Sequence, residues 1–184
     1  MRAETKWVSL TLCAVFVALT AVFAQIEIPL PYVPISGQTL AVGLTAIVVG
    51  SRLGALTMLC YVALGAAGAP VFAGFGSGMQ VLAGPTGGYI LGFIFAAFVT
   101  GFMLEKNGFT LKMALFANII GMMIILIFGV IRLKYVTGLG WNEALAAGVY
   151  PFVITGVIKA FLAGGIGIAV RRKLEERRSY LRKL

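Results

Sequence analysis

The sequence contains no histidine and no aspartate, and all six of its acidic residues are glutamates. Glu4, Glu27, Glu105, Glu143, Glu175 and Glu176 fall in expected loops, at helix ends or in the C-terminal tail. A Ser-His-Asp arrangement, a working pair of carboxylates and a histidine-carboxylate metal cluster are thereby excluded. No segment reads G-x-x-x-x-G-K-[ST], so the phosphate-cradling loop of a P-loop ATPase is missing as well. Proton relays within a bilayer usually need an acid or a histidine. A solute driven uphill by this protein therefore takes its energy from another subunit. The two cysteines, Cys13 and Cys60, sit inside apolar runs with no metal-ligand spacing around them and read as small buried residues. No cofactor, no metal and no enzymatic activity are expected.

Charge is also scarce. Only 11% of the 184 residues are charged and 60% are apolar, where a soluble domain carries about a quarter charged residues. Mean hydropathy is +1.02. Too little polar surface remains to cover a water-facing globule, and uncharged stretches about as long as a bilayer is thick recur along the chain. The periodicity predicts helices over 7–25, 39–50, 53–68, 85–104, 111–131 and 149–170, followed by a basic tail over 171–184. The second and third are short and nearly continuous across Ser51 and Arg52. The expected fold class is all-α, a polytopic membrane protein of six transmembrane helices forming one domain over 1–184. The first 25 residues mimic a secretory signal, with Arg2, Lys6 and an apolar run ending in Val22-Phe23-Ala24; the spans that follow favour a retained first helix.

The net charge of +9 is placed unevenly. Seven of the fifteen basic residues crowd the tail: Arg171, Arg172, Lys173, Arg177, Arg178, Arg182 and Lys183. A basic cluster just beyond an apolar helix is the flank that anionic membrane lipid attracts, and nucleic acid is not an expected partner. With the N-terminus inside, Arg2, Lys6, Arg52, Lys106, Lys112 and the tail share the inner side, while Arg132 and Lys134 lie outside. Both termini are then cytoplasmic. The first outer loop alternates proline with bulky residues from Ile28 to Ile35 and cannot be helical throughout. Glycines between Gly65 and Gly92 let backbone approach a helix or a ligand closely, although helix packing alone also accounts for many of them.

Lys159 stands about ten residues into the last span, so roughly 15 Å deep. A charge there is costly and snorkelling is difficult. Either the lysine is neutral or held by backbone carbonyls, or it is a cation awaiting an anionic ligand. Gln38, Thr86, Tyr89 and Asn118, with Thr155 one turn before the lysine, are the polar groups able to converge on it. Each alone serves equally well as interhelical glue. A lysine with amides and an aromatic hydroxyl suits a small, partly apolar carboxylate. On the first helix, Ala14 and Ala18 form a flat strip for another helix, internal or belonging to a partner.

Several ordered blocks carry a resemblance: Pro31-Tyr-Val-Pro-Ile-Ser-Gly-Gln-Thr-Leu40, Tyr61 to Gly74, Gly84-Pro-Thr-Gly-Gly-Tyr89, Ala117-Asn-Ile-Ile-Gly121, and Ala144 to Lys159. Together they resemble the BioY family, the biotin-binding S components of energy-coupling factor (ECF) vitamin importers. The resemblance implies six helices, a pocket near the outer face, a bacterial cytoplasmic membrane, and work alongside a transmembrane T component and two ATPase subunits. It implies Gln38, Tyr89, Asn118 and Lys159 as pocket residues, with Thr86 and Gln80 as further candidates, and Ala14 and Ala18 as the docking strip. The outer loops around Tyr32 and from Phe72 to Phe75 would close over the ligand. One departure stands out: where the family usually carries aspartate three residues before the lysine, this chain has Gly156. The rival readings are a solitary biotin carrier that needs no ATPase and a membrane scaffold whose polar residues only join helices.

Overall fold

The computed structural model describes the backbone of residues 2–181 and the side chains of residues 7–177. The side chains of Arg2, Lys6, Arg178, Arg182 and Lys183, counted above toward the inner charge, fall outside the described residues. Helix α1 (Arg2–Ala24) leads into a two-stranded antiparallel ribbon, β1 (Glu27–Ile28) and β2 (Ile35–Ser36), with Glu27 opposite Ser36 and Ile28 opposite Ile35. There follow α2 (Gln38–Val49), α3 (Ser51–Ala66), a 3-10 turn at Ala73–Phe75, α4 (Met79–Ala83), α5 (Gly87–Asn107), α6 (Leu111–Thr137), α7 (Trp141–Gly148) and α8 (Tyr150–Leu181).

Among the described residues four segments are long and apolar enough to cross a membrane: Trp7–Ala24, Gly87–Asn107, Leu111–Thr137 and Trp141–Arg177. Large apolar side chains stand exposed along them, as on an integral membrane protein with lipid for solvent. Helices α2 and α3 are shorter, at 12 and 16 residues, or about 18 and 24 Å against a hydrocarbon core of about 30 Å. Length alone thus supports four crossings where six are expected. Helix α2 is apolar on every side because it is enclosed on every side: Ala41 to Val48 are all buried, among α1, α3, α5 and α8.

Charge did not end the helices where hydropathy does. The sixth predicted segment continues to Leu181 through the basic tail, because arginine, lysine, glutamate and leucine are good helix formers. Arg171 and Glu175 pair at 2.8 Å, one turn apart. Helix α6 similarly passes Ile131 and ends only at Gly138, in the left-handed conformation at φ +72°. Short helices α4 and α7 lie in stretches expected to be loop, since eight residues or fewer show too little periodicity to register.

Two polar contacts fasten the end of the bundle away from the ribbon. The Arg171 guanidinium donates to the carbonyls of Ile47 and Val48, at 3.0 and 3.3 Å, satisfying the C-terminus of α2 while lying over the Phe109 ring. At the α2–α3 break, Gly50 takes φ +87°, and the Glu105 carboxylate of α5 accepts from the Ser51 backbone N–H and hydroxyl, both at 2.7 Å. Glu105 therefore caps α3 from a neighbouring helix, with its charge at a helix N-terminus. Glu105→Ala is expected to cost about 1–2 kcal/mol, read as a lower thermal midpoint in detergent. An unchanged midpoint would mean that water replaces the carboxylate without loss.

Candidate functional site

At the opposite end of the bundle the ribbon, the 3-10 turn, α4 and the starts of α2, α5 and α8 surround a cavity of about 310 Å³. Ligand cavities begin at about this size. Its walls are mostly apolar and aromatic: Tyr89, Ile90 and Phe93 from α5, Met122, Ile125 and Leu126 from α6, and Phe72 and Phe152 from the loops and α8. The Tyr89 and Phe152 rings lie 5.9 Å apart. Polar groups enter from Ser36, Gln38, Thr39, Gln80, Thr86, Thr155 and Lys159.

Lys159 is partly buried, and its ammonium donates to the Ser36 carbonyl at 2.7 Å. From Ser36 a chain of bonds continues outward. The Ser36 hydroxyl donates to Gln38 Oε1 at 2.7 Å, Gln38 Nε2 donates to the Tyr61 hydroxyl at 2.6 Å, and Tyr61 donates to the Val71 carbonyl at 2.7 Å. This chain ties α8 to the ribbon, the ribbon to α3, and α3 to the loop over the cavity. One ammonium proton is spent on the carbonyl, leaving two. No carboxylate lines the cavity among the described residues. The lysine is thus held by a backbone carbonyl, the first of the two roles set as alternatives by the sequence, and two of its ammonium protons remain without a partner among the described residues.

The other expected residues divide. Gln38, Gln80, Thr86, Tyr89, Thr155 and Lys159 all line the cavity. Asn118 does not. Its amide folds back to donate to the Ala114 carbonyl at 2.7 Å, one turn away on α6, and it faces a smaller void instead. Tyr89 offers the cavity its ring, but its hydroxyl already donates to the Gly148 carbonyl at 2.8 Å. The hydroxyls of Thr86 and Thr155 make only long bonds of 3.3–3.5 Å to nearby carbonyls and stay largely open to a ligand. Gly156 also lines the cavity, and the Met122 thioether occupies the space where a Cβ on it would lie. Ser36, Tyr61, Met122, Phe93 and Phe152 were missed. Ser36 lies two residues before Gln38, a spacing that allows a local side-chain bond, but nothing local announced the other four.

The BioY family model matches residues 1–176. The chain belongs to the BioY family. It is 40% identical over 177 residues to the biotin transporter BioY2 of Lactococcus lactis subsp. cremoris, covering 96% of this chain and 97% of that one. It is 42% identical over 164 residues to the biotin transporter BioY of Thermotoga maritima, covering 89% and 95%. The fold matches a crystal structure of the S-component for biotin from an ECF-type ABC transporter, with a TM-score of 0.85 at 24% identity, over 94% of this chain and 95% of that one. BioY membership makes this a membrane transport protein rather than an enzyme.

Proposed function

We propose that this protein captures biotin at the outer face of a bacterial cytoplasmic membrane and presents it for import. The observation that carries the reading is Lys159: a cation set in an aromatic-walled cavity that no carboxylate among the described residues lines, with protons left to donate. Biotin joins a compact bicyclic ring to a slender chain ending in a carboxylate. The cavity offers apolar walls for the ring and Lys159 for the charge. Gln38, Thr86, Tyr89 and Thr155 complete the pocket, and Gln80 stands at its edge; Asn118 supports it from behind.

In this reading six helices cross the bilayer, α2 and α3 being sheltered short crossings, with both termini cytoplasmic. A transmembrane T component and two ATPase subunits supply the energy that this chain's residues do not. Ala14 and Ala18 are exposed on α1 and are the proposed docking strip for the T component. Release inward requires a partner that binds the two states of this subunit differently. Equilibrium binding of labelled biotin to the detergent-purified protein, with unlabelled vitamins as competitors, is the test. Saturable binding displaced only by biotin-like molecules is expected; absence of binding by folded protein overturns the reading. Uptake by cells lacking T and ATPase subunits would replace the importer subunit with a solitary carrier.

A further inference from the structure

Met122 lines the cavity from α6. Its thioether crosses between α6 and α8 into the notch left by the missing side chain of Gly156. Behind it lies a second void of about 20 Å³, which shares Thr39, Met122, Ile125, Gly156 and Lys159 with the main cavity. That is room for about one water molecule. The far side of the void is walled by Asn118 and Thr100, only 7% and 2% exposed. Thr100 spends its proton on the Ala117 carbonyl at 3.1 Å, and Asn118 spends one amide hydrogen on Ala114. One Asn118 amide hydrogen is left over, and Lys159 borders both spaces.

We infer that Met122 is a specificity-determining residue: seated over Gly156, it fixes how long a carboxylate-bearing chain the site accepts, and the Asn118–Thr100 void is the room it denies. The inference rests on the biotin reading above and gives the ligand an orientation. In that orientation the ring lies among the aromatic walls of Tyr89, Phe93 and Phe152, and the slender chain runs toward Lys159. A chain longer by one methylene carries its carboxylate past the ammonium and against the Met122 thioether. Methionine is unbranched and polarizable, so it closes this end by filling it rather than by rigid geometry. Gly156 is what allows it, since any Cβ there would contend with the sulfur for the same space.

The test compares three compounds on purified protein: biotin, its homologue with one additional side-chain methylene, and biotin methylated on a ureido nitrogen. In Met122→Ala, which joins the two voids, affinity for the longer homologue relative to biotin should rise by about tenfold, the usual worth of one methylene in an apolar pocket. Met122→Leu keeps the bulk and should retain the wild-type ratio. The ureido-methylated compound should keep its wild-type ratio to biotin in both variants. An unchanged homologue ratio in Met122→Ala that still binds biotin overturns the inference. So does a gain by the ureido-methylated compound instead, because that places the ring at the Met122 end. Should Met122→Ala fail to fold, Gly156→Ala tests the same wall from α8 by driving the thioether into the remaining space. It should sharpen discrimination against the longer homologue by about tenfold, and an unaltered ratio there overturns the inference equally. If the wild-type protein binds no biotin at all, the biotin reading itself falls, a result distinct from any change in ratio.

Discussion

Lys159→Ala is expected to weaken biotin binding by about thirtyfold or more, because truncating one partner of a desolvated, hydrogen-bonded charge pair costs about 2–5 kcal/mol. Binding of an uncharged biotin amide should fall far less. The difference matters because Lys159 also holds the ribbon, its ammonium donating to the Ser36 carbonyl. Loss of that bond alone would loosen the cavity wall and weaken both ligands alike. Lys159→Gln separates the two effects, since an amide can still donate to the carbonyl but carries no charge. If the lysine meets the carboxylate, the glutamine variant behaves like alanine toward biotin and like wild type toward the amide. Equal losses for both ligands in both variants would make Lys159 a structural tie and leave the anion without its partner.

Gly129→Ala is expected to abolish most biotin binding while the protein still inserts and folds. A Cβ on Gly129 of α6 would fall on three atoms of the Tyr89 ring. An aromatic ring cannot yield as a flexible chain does, so Tyr89 must swing into the cavity or α5 must separate from α6, an overpacking that costs about 1–3 kcal/mol. Either response removes the wall that the Tyr89 and Phe152 rings share. Tyr89→Phe is the control: it removes only the bond to Gly148, worth about 1 kcal/mol, and leaves the ring in place. A modest loss in Tyr89→Phe beside a large loss in Gly129→Ala would show that the ring's position, not its hydroxyl, serves the ligand. The reverse order would return the hydroxyl to the ligand and overturn the packing argument.

Helix existence was legible because it rests on composition over windows as long as a helix: each of the six apolar segments has its counterpart in α1, α2, α3, α5, α6 and α8. Helix ends were not, because the apolar run stops where lipid would stop while backbone hydrogen bonding continues, as in α8 through its arginines. The candidate site divides along the same line. Lys159 declared itself because a cation far from any helix end is anomalous in a bilayer whatever surrounds it. Asn118 looked like its companion in a linear reading. Which face of α6 an amide presents, and whether it spends itself on Ala114, depends on the packing of α2 and α8 against that helix.

By itself, then, the sequence determined the class of molecule, the solvent for which its surface is made, the lack of histidine and aspartate, and the family whose ordered blocks it carries. Those properties are sums over many residues or signatures of neighbours in the chain. Tertiary structure decided everything that depends on groups far apart in sequence. It set the Lys159 ammonium on the carbonyl of Ser36, 123 residues away, and the Tyr61 hydroxyl between Gln38 and Val71. It also placed the Met122 sulfur where Gly156 has no side chain. Such contacts exist only once whole helices have packed, because a missing atom at one position acquires meaning from the atom that another helix brings to fill it.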